Sequence, residues 1–128
     1  MFPAASMAGG KAVGPGDVCI DIFYLPISYE NTGTLTIAVN TAPTVLIQMM
    51  PVVVLPSNLP SSEGDEEGVN EGVISGEHME KIQFTQASSK VFAAGNPVVY
   101  LGCTTVQNDM NVTGTLTEVT QQVVLVAP

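Results

Sequence analysis

The chain has no tryptophan and no arginine, a single histidine, two cysteines and only 5% aromatic residues. Each shortage excludes something. Three lysines (Lys11, Lys81, Lys90) stand against twelve acids, for a formal net charge of −9. A nucleic-acid-binding protein needs a basic face to replace phosphate counterions, and none can be built here. Anionic membrane surfaces are disfavoured on the same ground. No apolar run reaches the ~18 residues that a membrane-spanning helix requires. The opening MFPAASMAGG lacks the basic region and apolar run of a secretory signal, so the expectation is a soluble protein made in the cytosol, with no membrane anchor.

With so few aromatics, the core must be filled by Val, Leu, Ile, Ala and Met, which favours thin layers of short strands. Twelve glycines and nine prolines spread along 128 residues argue for many turns and against long helices. The length suits one domain, residues 1–128, with a modest core. The expected class is all-β.

The patterning centres on Ala42–Ser57 and a weaker copy at Ser88–Cys103. Val45 aligns with Val91 and Pro51 with Pro97, both at an offset of 46 residues. Each copy is a β-branched run, a short break, a proline and a second β-branched run, which reads as a hairpin. A truncated third copy is expected at Gln121–Val126, placing Val123 over Val91. Two and a half similar hairpins predict pseudo-threefold geometry.

Elsewhere, residues 1–16 are rich in small residues and read as an extended arm. Short strands are expected at Asp17–Phe23, over GTLTIAVN (Gly33–Asn40), at Lys81–Thr85 and in Thr115–Val126, with a loop at Thr104–Gly114. Ser61–Glu80 is an acidic, Gly-rich insertion carrying seven of the twelve acids, and mutual repulsion predicts an exposed loop with strand pieces at Gly72–Ser75. Glu63, Asp65, Glu67 and Gly68 mimic the start of a calcium loop, but the twelfth position would be Ile74 where that loop needs a bidentate Glu.

His78 has no neighbouring nucleophile in sequence, no phosphate cradle or nucleophile elbow is visible, and the carboxylates cluster in one loop; an enzyme is not expected. Cys19 and Cys103 read as free, partly buried thiols, with a disulfide or a shared metal as the alternatives. Only Cys19, His78 and Cys103 are soft or borderline ligands. A closed zinc site needs four, so no stoichiometric zinc is expected.

Several stretches resemble one family. Met1-Phe2-Pro3 with Met7–Gly10, Gly16–Cys19, and Pro26–Asn31 resemble the opening of PAAR-like proteins of bacterial contractile injection systems. The acidic insertion with Gly72–Gly76, the hairpin Ser89–Pro97 and Gln107-Asn108 continue the likeness in order along nearly the whole chain. The resemblance implies a small, pointed all-β cone that caps the blunt end of a trimeric VgrG-type spike, one chain per trimer, in a type VI secretion-like machine. It implies a protein that is monomeric by itself, assembled on the machine, delivered outside or into a target cell, and able to recruit effector cargo. Hairpin side chains expected to meet the spike are Val45, Ile47, Val53, Val91, Val99 and Leu101. Two departures stand out. Gln48-Met49 replaces the family's Gly-Gly, so a wider or bulged turn is expected. Zinc-carrying relatives use three His and a Cys near the tip, whereas this chain has one His, and Val112 stands where a Cys would be sought. The competing reading is a small acidic β-domain adaptor that binds an effector or receptor and is not a tip.

Overall fold

The computed structural model describes residues 1–128 as a small all-β protein with one three-residue 3₁₀ turn at Leu35–Ile37. Its main sheet has six strands in the order β3 (Pro26–Thr34), β2 (Gly10–Ile20), β11 (Val112–Val119), β10 (Thr104–Gln107), β7 (Ile82–Phe84), β6 (Asn58–Leu59). All neighbours in it are antiparallel. Three further strand pairs stand outside this sheet: β4 (Ala42–Ile47) with β5 (Met50–Val52), β8 (Phe92–Ala93) with β9 (Asn96–Pro97), and β1 (Phe2–Pro3) with β12 (Leu125–Val126).

These three pairs are the pseudo-threefold repeat. Pro3, Pro51 and Pro97 each begin a five-residue segment (PAASM, PVVVL, PVVYL), and backbone hydrogen bonds join the three segments in closed cycles. The Ala5 N–H donates to the Val99 carbonyl, Val99 to Val53, and Val53 back to Ala5, at 2.9, 3.0 and 3.0 Å. A second cycle runs from Met7 to Pro51, Leu55 to Pro97 and Leu101 to Pro3, each 2.9 Å. Proline suits the first position because its ring removes the N–H, while its carbonyl remains free to accept the cycle's bond. Ala5, Val53 and Val99 have no exposed surface and sit at the heart of a core that also holds Leu35, Leu59, Ile82 and Leu116.

The expected third hairpin is therefore present, but it is assembled from the two ends of the chain. Its register is also one residue off the sequence alignment. The Ala4 N–H donates to Val124 as Val98 donates to Val91, so Val124, not Val123, takes the place of Val91.

Other expectations are corrected. Residues 1–16 are largely extended as expected but are not an arm: Ala4, Ala5, Ser6 and Ala12 are buried, and Gly10 onward is strand β2. The alternating Gly33–Asn40 stretch is not a strand beyond Thr34, because Leu35 turns into the core beside Gly10 while Ile37 and Val39 face out. Thr104–Gly114 is not a loop but the β10–β11 hairpin. The Gln48-Met49 turn is no wider than two residues, since both adopt left-handed backbone (φ 53° and 65°) and Ile47 pairs with Met50. The irregularity lies in the strand, where the register shifts between Ala42 and Leu46. Gly72–Ser75 forms turns, with Gly72 bridged to Cys19.

Candidate docking face and buried polar cluster

The repeat leaves an apolar depression of about 230 Å³ where its three units meet. Equivalent residues line it in sets. Val45, Val91 and Val124 form one set and Ala4, Val52 and Val98 a second, with Ile47, Ala93 and Val126 as a third. Leu46 and Phe92 also line it; they and their equivalent Leu125 pair in register with Pro51, Pro97 and Pro3 and are 55%, 56% and 43% exposed. Phe2 lies beside them, stacked on Tyr100 with ring centroids 5.2 Å apart. Met49, Met50 and Val123 extend the exposed apolar surface. Scattered apolar side chains on a surface need no explanation, whereas these fall on three equivalent strand pairs about one depression.

Of the residues expected to meet a partner, Val45, Ile47 and Val91 line this depression. Val53 and Val99 do not: with no exposed surface they belong to the core, and only their backbone enters the cycle. Leu101 is half-buried, its N–H donating to Pro3. Val124 and Leu125 were missed because the third unit's alignment was out by one and its first half lies at the N-terminus, among small residues that do not read as strand; Leu46 and Phe92 were passed over because the alternation that picks out Val45, Ile47 and Val91 skips the residue beside them.

A second, internal site lies among β2, β3, the 61–80 segment and the β10–β11 turn. That turn places Asn108, Asp109 and Met110 successively in left-handed backbone (φ 48°, 52°, 73°), a conformation that Asn and Asp tolerate better than most residues. It delivers two amides inward. The Asn111 amide donates to Asp17 Oδ1 at 2.5 Å and to the Val18 carbonyl at 2.9 Å. Asn108 donates to Asp17 Oδ1 at 3.1 Å and to the Glu77 carbonyl at 2.8 Å. On the other side, Gln107 donates to both Asn31 oxygens at 2.9 Å, and Asn31 donates to Ser62 Oγ at 2.8 Å and Asp65 Oδ2 at 3.3 Å. Asp65 Oδ1 accepts the Met79 N–H at 2.9 Å.

The acidic insertion is thus only partly exposed as expected. Ser62, Asp65, Gly68 and Gly72 are buried and tie it to the sheet, while Glu63, Glu66 and Glu67 face solvent. Burial, then the hydrogen bond and charge of Asp17, push the Asp65 carboxyl up to about 7, against the Met79 N–H, which lowers it. Burial, followed by the charges of Asp17 and Asp65, pushes the Cys19 thiol up to about 12.

The sequence-level ligand set is dispersed. Both cysteines are free and buried. His78 is half-buried with Nδ1 3.2 Å from a Glu71 carboxylate oxygen, and it joins no cluster of ligands with a cysteine. Cys103 has a different task. Its sulfur accepts the Tyr100 N–H at 3.4 Å, as Ser57 Oγ accepts the Val54 N–H at 3.0 Å in the preceding repeat unit. A three-His-one-Cys zinc shell cannot be built from these residues.

A family model described as "Toxin PAAR-like domain" matches residues 11–114. No curated protein and no solved structure matches the chain.

Proposed function

The chain belongs to the toxin PAAR-like domain family, and from that premise we propose that it is the structural tip protein of a contractile injection machine, seated on the blunt end of a trimeric VgrG-type spike. The observation that carries this reading is the cyclic backbone bonding of Pro3–Met7, Pro51–Leu55 and Pro97–Leu101. A trimer ends in three equivalent edges. One chain matches all three only by presenting three equivalent units, and these surround an apolar opening. Leu46, Phe92 and Leu125 would each meet one spike subunit, with main-chain pairing to strand edges tolerating their different side chains. In this reading the role is structural and not catalytic.

In this reading the protein is made in the bacterial cytoplasm, is monomeric until it meets the spike, and leaves the cell with it. The adaptor reading keeps one observation in its favour. Ile22, Phe23, Tyr24 and Leu25 form an exposed apolar loop, and Ile22 and Phe23 line a hollow with Glu66 and Glu67. In a tip this loop is where effector cargo would be held. Native mass spectrometry of the chain with its cognate spike trimer decides between them. One chain per three spike subunits is expected of a tip; no complex, or one chain per subunit, overturns the tip assignment.

A further inference from the structure

Three acidic ligands meet inside the protein with no cation facing them. One ligand atom from each of Asp17, Cys19 and Asp65 lies within 4.8 Å of the others, and all three residues are fully buried. The ion pairs of the molecule lie elsewhere, Lys81 with Asp109 and His78 with Glu71. The telling atom is Asp17 Oδ2. It is buried and no amide, hydroxyl or backbone N–H donates to it, so that only a proton shared with the Asp65 carboxyl is at hand, although its sister oxygen receives two amides. A carboxylate oxygen removed from water and given nothing to accept is costly, and native interiors rarely leave one so.

We infer that Asp17, Cys19 and Asp65 are ligands of a divalent transition-metal ion, zinc being the ion that this donor set fits. Calcium and magnesium take all-oxygen shells, whereas one thiolate with carboxylate oxygens suits a borderline-soft ion. Two carboxylates and a thiolate around a doubly charged ion leave one net negative charge, and amide N–H groups point at it. Asn108 and Asn111 cannot turn their oxygens inward, because those accept the Glu80 N–H at 3.1 Å and the Ile74 and Ser75 N–H groups at 2.8 and 3.0 Å. Their role is to orient and partly neutralise the ligands from the outer shell. The fourth position goes to the free Asp17 oxygen or to water. On binding, the Cys19 proton and any proton held between the two carboxylates pass to solvent, so uptake strengthens as pH rises. The ion would clip the acidic segment to β2, since Asp65 comes from the one and Asp17 and Cys19 from the other.

The test uses the full chain, stripped with a chelator and titrated with Co²⁺ and Zn²⁺. The expected result is one ion per chain and a thiolate-to-cobalt charge-transfer band. Both should be lost in Cys19→Ser and Asp17→Asn and kept in Cys103→Ser, with circular dichroism reporting folding. X-ray absorption at the zinc edge of the unmutated protein gives a readout that needs no variant: one sulfur and otherwise oxygen or nitrogen neighbours. Failure of the folded protein to take up either ion overturns the site and leaves Asp17 and Asp65 as an acid pair sharing a proton. A band that survives Cys19→Ser, or a shell with no sulfur, overturns it equally.

Discussion

Phe92→Asp tests the docking face where the three-unit geometry makes the sharpest demand. Phe92 is 56% exposed in a two-residue strand at the rim of the depression, so the isolated protein should fold with little change in Tm. On the spike, that exposed half would be covered. Full burial of a Phe is worth about 1.5–3 kcal/mol, so the lost apolar contact removes about 1 kcal/mol. A carboxylate brought into an apolar interface without a partner adds about 2 kcal/mol or more. Together these give a loss of about 3 kcal/mol, roughly 100-fold in Kd. Because Leu46 and Leu125 occupy the same place in the other two units, Leu46→Asp and Leu125→Asp should weaken binding by similar factors. Isothermal titration against the cognate spike trimer measures all three, with Glu63, Glu66 and Glu67 changed to Ser together as the comparison. Asp65 is left intact there because it is buried. If the three rim variants fold and bind as tightly as the unmutated protein, while the loop variant loses the trimer, the face has been assigned to the wrong end.

Val99→Ala should lower stability by about 1–3 kcal/mol in urea melts, because its side chain lies wholly in the core. Cys103→Ser should be nearly neutral, since Ser57 makes the same bond in the preceding unit, whereas Cys103→Val leaves the Tyr100 N–H without its acceptor and should cost about 1–3 kcal/mol. Gly64→Ala should destabilise more than either: its φ is +107°, and a Cβ there would collide with the Glu30 carbonyl oxygen. A circular permutant with Pro128 joined to Met1 by a short glycine linker and the chain opened between Gln48 and Met49 should keep its circular dichroism and melt cooperatively; an unfolded permutant would refute the equivalence of the three units.

Both internal hairpins could be read in advance because β-branched runs around Pro51 and Pro97 signal strands without help from the rest of the chain. The third unit was only half legible. Pro3–Met7 is built of Ala and Ser, and only the five-residue spacing after proline betrays it once the backbone cycle is known. Gly33–Asn40 misled for the opposite reason: its alternation is regular, but Leu35 leaves the sheet to fill the core and the strand stops there. The Thr104–Gln107 strand was unreadable as such because its inward residues are polar: Thr105 donates to Gln107, and Gln107 in turn to Asn31, 76 residues away. Asp65 was hidden by its company. Among seven acids in twenty residues nothing local distinguishes the one whose amide partners make burial tolerable.

The pairing of β1 with β12 also sets the order of events during synthesis. Residues 2–3 leave the ribosome well before residues 125–126, and must wait for them before their strand pair can form. Neither backbone cycle can close until residues 97–101 have emerged to meet the first segment. Contacts this distant in sequence put the chain among slow-folding topologies, on the order of milliseconds to seconds. At roughly 5–20 residues per second, translation exposes the N-terminal edge for several seconds with nothing to pair with. Small residues and a proline in Pro3–Met7 make that waiting edge a poor template for aggregation, which a valine-rich first segment would not be.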